Sequence, residues 1–76
     1  MKMYFKSYIG NVQMMLDSDT MQVLEICNNS NENSVNNIMK ESFYNMQLTN
    51  SQDSSKWQVS TEESFNEAKA NVIASL

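Results

Sequence analysis

Residues Lys56 to Leu76 constrain the fold more than any other stretch. Lys56-Trp57-Gln58-Val59-Ser60 alternates polar and apolar side chains, the period-two pattern of a half-buried strand. Ser60-Thr61-Glu62-Glu63 follows. Ser60 and Glu63 have the spacing of a capping box, with Thr61 as the competing cap one residue later. Glu62, Glu63 and Glu67 place negative charge where a helix dipole favours it. Phe65, Ala68, Val72, Ile73 and Leu76 then recur at helical spacing and make one apolar stripe. A helix this short is marginal alone in water, so it must cover a surface. The apolar residues of the strand before it mark that surface as a sheet.

The N-terminal stretch supplies more of the sheet. Met1, Met3, Phe5, Ser7 and Ile9 share one face of a strand, and Lys2, Tyr4, Lys6 and Tyr8 share the other. Gly10-Asn11 reads as a two-residue hairpin turn, with the only glycine of the chain where a positive φ is needed. That turn predicts the pairs Ile9–Val12, Ser7–Met14 and Phe5–Leu16. Asp17-Ser18-Asp19-Thr20 marks the next turn. Met21 to Cys27 fits a strand or a helix capped by Asp19, and Val23 and Ile26 favour the strand. As a strand it turns Glu25 inward unless it ends or bulges there.

Ser34 is placed to cap a helix running to about Gln47, with Val35, Ile38, Met39, Phe43 and Met46 at three- and four-residue spacing. Asn36 and Asn37 lower its propensity. Leu48 to Ser55 is the most polar connection and the expected mobile loop. The expected fold is α+β, one domain over residues 1–76. A small antiparallel sheet, made of the N-terminal hairpin or meander and one later strand, carries two helices on one face, in the order β-β-β-α-β-α. Its inner face takes Met3, Phe5, Ile9, Val12, Met14, Leu16, Met21, Val23, Trp57 and Val59. The helices add Ile38, Phe43, Phe65, Val72, Ile73 and Leu76.

Composition narrows the function. With 76 residues, one small core is all that is available, and packing on another copy is a reasonable expectation. Net charge is −4, with five lysines, no histidine and no arginine. Nucleic-acid readers need a basic stripe and usually arginine forks, so binding to nucleic acid is disfavoured; Lys2, Tyr4, Lys6 and Tyr8 are its sole footprint. Without histidine the commonest general base and metal ligand are both missing. No glycine-rich phosphate loop is present. Asp17 and Asp19 lack the further oxygen ligands of a calcium loop and read as turn formers. The single cysteine, Cys27, excludes an internal disulfide and reads as a small core residue. No catalytic residue, cofactor or metal is expected. Asn28-Asn29-Ser30 matches the glycosylation triplet, but no secretion signal accompanies it, so it reads as coincidence. No membrane span is expected, and the expected location is cytoplasmic, the host cytoplasm for a phage-encoded chain.

These absences lead to a non-enzymatic protein-binding module. The expected contact residues are Tyr4, Lys6, Tyr8 and Met15 on the outer face of the sheet, with Asp17, Asp19 and Glu25, aided by Glu62, Glu63 and Glu67, steering toward a basic partner. The class most consistent with such a chain is an inhibitor or adaptor of phage or mobile-element type, an anti-CRISPR or other anti-defence protein for example, that occludes a host defence protein, with a homodimer as a further expectation. The alternative is a self-associating structural or assembly subunit. An accessory protein that binds nucleic acid comes third.

Overall fold

The computed structural model describes residues 1–76. Strands β1 (Lys2–Ser7), β2 (Val12–Asp17), β3 (Gln22–Asn28) and β4 (Asn33–Met39) precede helix α1 (Glu41–Ser51). Strand β5 (Trp57–Val59) and helix α2 (Glu62–Ser75) complete the chain. All strands pair antiparallel in one sheet of order β4-β3-β2-β1-β5. The α+β class, the N-terminal meander, the β3 strand and the late strand–helix unit all appear as expected. Four strands, not three, come before the first helix.

The additional strand is β4, where a helix from Ser34 was expected. Its hairpin with β3 is closed by Asn29, whose side-chain oxygen accepts from the N–H groups of Asn31 and Glu32, each at 2.9 Å. That tight turn feeds Val35 and Ile38, two β-branched residues, into the sheet beside Ile26 and Val23. Asn36 and Asn37 are poor helix formers and give no counterweight. The helix therefore starts only at Glu41. It runs to Ser51 and takes up much of the segment expected to be a mobile loop.

The β1–β2 connection is also longer than a two-residue turn. Phe5 pairs with Met14 and Met3 with Leu16, which leaves Tyr8, Ile9, Gly10 and Asn11 in the connection. Gly10 at φ +80° and Asn11 at φ +50° both occupy the left-handed region. The side-chain amide of Asn11 donates to Asn28 O at 2.6 Å and ties the turn to β3. The register differs from the expected one by two residues, so each side chain keeps its face. Ile9, expected in the core, is 84% exposed.

The helices lie on opposite faces, not on one. Phe5, Met14, Leu16 and Val23 pack with Tyr44 of α1. Met15, Leu24 and Ile26 pack with Phe65 and Val72 of α2. The cause lies in β2 and β3, which are largely buried on both faces and carry apolar side chains on each: Met14, Leu16 and Val23 on the α1 side, and Met15, Leu24 and Ile26 on the α2 side. Met14, Leu16, Val23, Ile26 and Val72 are the largest fully buried side chains, each stabilising by about 1.5–3 kcal/mol. Ile73 and Leu76, expected inside, face solvent, as does Val59 of β5. Thr61, not Ser60, caps α2: its side chain accepts from Ser64 N–H at 3.1 Å. Helix α1 has no side-chain cap at Lys40.

Candidate functional site

The expected contact residues do not form one surface. Met15 is buried under α2. Tyr4 is half-buried and stacks obliquely on Phe65, ring centroids 5.6 Å apart. The aromatic outer face was legible in the sequence, and α2 is what covers it. Tyr8 is exposed, in the β1–β2 turn. Asp17 is buried and accepts from Asp19 N–H at 3.0 Å. Asp19 receives the Met1 ammonium at 2.7 Å, and that carboxylate raises the pKa of the ammonium. Glu25 points inward and accepts from the Gln47 amide of α1 at 3.0 Å, so the strand needs no bulge there. Asp17 and Glu25 are thus spent largely on internal bonds, while the Asp19 side chain stays 80% exposed.

Lys6 lies at the mouth of a polar cleft of about 300 Å³ between α2 and the sheet, together with Gln13, Ser64 and Glu67. Gln13 Oε1 is buried without a protein hydrogen-bond partner. No group of three or more His, Cys, Asp or Glu side chains is placed to hold a metal ion. Cys27 is buried; burial first, then the nearby Glu32 carboxylate, pushes its thiol pKa up. Little thiolate is present at neutral pH, which is unfavourable for a nucleophile. No helix is long and apolar enough to cross a membrane.

The surface the sequence reading missed is the outer edge of β4. Asn29 N–H donates to Glu32 O at 2.9 Å, which makes residues 29 and 32 a hydrogen-bonded pair. Antiparallel ladders alternate such pairs with open ones. Cys27–Ser34, Glu25–Asn36 and Val23–Ile38 are therefore bonded pairs of the register. The backbone N–H and C=O of Val35, Asn37 and Met39 then point outward, where no strand follows. The strand itself, Asn-Ser-Val-Asn-Asn-Ile-Met, has no charge and no proline. It lacks the devices that usually blunt a sheet edge.

Beside this edge, on the α1 face, runs an apolar groove of about 430 Å³. Ile38, Phe43 and Met46 line it, with Lys40 and Ser42 at its rim. Met46 is 51% exposed in the groove, and Met39, 62% exposed, lies on the other face of the strand. Asn33 Oδ1 and Ser34 Oγ, both on β4, are buried without a hydrogen-bond partner. The only advance signal was the Asn-rich run after Cys27, which reads equally as loop, helix or half-exposed strand. Compared with known proteins, the chain matches no family model, no curated protein and no solved structure.

Proposed function

We propose that this chain is a non-enzymatic protein-binding module whose contact is made along the β4 edge and the groove beside it. The observation that carries this reading is the seven-residue uncharged edge with its outward backbone groups unpaired. An added strand satisfies those groups, and alternate side chains enter the adjoining groove. Main-chain bonds then supply affinity and the groove supplies selectivity. The lining of Ile38, Phe43 and Met46 suits an apolar side chain, and methionine adapts to several shapes. The mode of action is occlusion: the module covers a surface that the partner needs. Within this reading the inhibitor or adaptor of anti-defence type remains the sharpest version, with a host protein as partner.

A self-associating subunit is the second reading, and the lack of charge along β4 favours it, since two copies meet there without repulsion.

Affinity capture with paired variants tests the proposal. Asn37→Pro removes an outward N–H and leaves the β3 ladder intact. Capture of a discrete protein by the wild-type chain, lost in Asn37→Pro and retained in Tyr8→Asp, is the expected result. Equal capture by wild type and Asn37→Pro contradicts the edge as contact, and turnover of a small molecule by the purified chain contradicts the class.

A further inference from the structure

We infer that the β4 edge receives the β4 strand of a second copy, antiparallel, about a two-fold axis through Asn36. This rests on the reading of that edge as a contact surface and takes the second of its two occupants, another copy of the chain, which a host strand must displace to bind there.

Backbone parity comes first. The outward groups belong to odd-numbered residues, Asn33, Val35, Asn37 and Met39. Two-fold antiparallel pairing of identical strands about a residue matches odd with odd, so every outward group meets an outward group. The register centred on Asn36 engages the whole strand. It brings Asn33 opposite Met39 and Val35 opposite Asn37 of the second copy as hydrogen-bonded pairs.

Charge selects the same register. β4 is uncharged, and it is flanked by Glu32 on one side and Lys40 on the other. Both are exposed, and both share the α1 face with Asn36. With Asn36 on the axis, Lys40 of each copy stands opposite Glu32 of the other. Two symmetric ion pairs then frame a neutral strand, even though each copy has a net charge of −4. A register centred on Asn37 or Ile38 loses these pairs and shortens the ladder. On the axis, two Asn36 amides meet, each with a donor and an acceptor for the other.

The layers also continue. The two-fold axis is perpendicular to the sheet, so α1 stays on one face and α2 on the other across both copies. Glu32 of the second copy closes the rim of the Ile38–Phe43–Met46 groove next to Lys40. The product is one ten-stranded sheet, twice the five strands of a single copy, with no β4 edge left open.

Variants with one added cysteine read the register directly. Asn36 faces its own copy across a non-hydrogen-bonded position, where Cα atoms approach to about 4.5 Å, within disulfide reach. Asn36→Cys is expected to oxidise to a disulfide dimer in high yield, while Asn37→Cys, offset from its counterpart, does not. Buried Cys27 is the internal control, and peptide mapping assigns the bridge. Sedimentation of reduced protein adds the charge arm. Lys40→Glu is expected to weaken the dimer about tenfold, and Lys40→Glu with Glu32→Lys to restore it. Circular dichroism confirms that each variant is folded. A chain that stays monomeric at roughly 1 mM, or bridges as readily through Asn37→Cys as through Asn36→Cys, overturns the inference. If such a monomer still captures another protein in an Asn37→Pro-sensitive way, only self-pairing falls. If capture ignores Asn37→Pro, the edge reading falls with it.

Discussion

The two edges of this sheet have little in common. β5 is three residues long. Tyr8 N–H donates to Lys56 O at 3.1 Å and Ser60 N–H to Tyr4 O at 2.8 Å, so the ladder turns the groups of Gln58 toward β1. Trp57 N–H is taken by Asp53 O at 3.0 Å. That leaves Val59 as the outward residue, with Lys56 just before the strand and Glu62 and Glu63 just after it. Shortness and charge are the usual means of making an edge unattractive. β4 has flanking charge too, Glu32 before it and Lys40 after, but it is not short: it runs for seven residues with no charge inside the strand, and it borders an apolar groove. An edge left in that state within a folded chain is one that another strand is available to fill.

Proline at matched positions should separate the edges most strongly. Gln58→Pro removes an N–H that faces β1 and orphans its acceptor, so it should cost about 2–3 kcal/mol, read by chemical denaturation. Asn37→Pro should leave stability within about 0.5 kcal/mol while abolishing association. Equal losses would mean that the outward assignment of Asn37 is wrong.

Valine to serine gives a smaller contrast. Val35 packs against the α2 cluster, and Val35→Ser should cost about 1 kcal/mol. Val59 is 82% exposed, and Val59→Ser should fall within about 0.5 kcal/mol. A comparable midpoint shift for the two would remove the distinction in packing. The cap of α2 provides a reference of similar size, since Thr61→Ala should cost about 1 kcal/mol.

The smallest effect concerns the turn that shields β5. Ser55 N–H donates to Asp53 Oδ1 at 3.0 Å and its hydroxyl to the same oxygen. These bonds hold the Asp53 pKa below its ordinary value, with Lys56 adding a weaker electrostatic pull. A lowered folded-state pKa contributes stability above the unfolded-state value and loses it as pH falls through the folded one. The Asp53 carboxyl should therefore titrate by NMR below the usual aspartate range, and Ser55→Ala should move it back up. A normal midpoint in the wild type would show that the turn is looser than described.

Much of this architecture was readable in advance because its signals are local. The position of the turn at Gly10-Asn11, though not its length, the alternation of Lys56–Ser60 and the stripe Phe65–Ala68–Val72 each depend on neighbours in sequence. Two features were not readable for physical reasons. Val35, Ile38 and Met39 fit helical spacing, and a half-exposed edge strand alternates too weakly to argue against it. Met15, Leu24 and Ile26 announced a second apolar face, but nothing in the α2 stripe says which face it will cover. Once α2 takes that face, Met15 becomes a core residue and Tyr4 packs half-buried beside it, and the open contact moves to β4, where uncharged asparagines had read as loop and helix.

Hydrogen exchange at individual β4 amides tests this most directly, because it reads the outward groups themselves. As protein concentration rises, the N–H groups of Val35, Asn37 and Met39 should pass from fast exchange to protection, while those of Asn36 and Ile38, bonded to β3, stay protected throughout. Outward amides that exchange freely at every concentration, with and without a captured partner, would contradict the account.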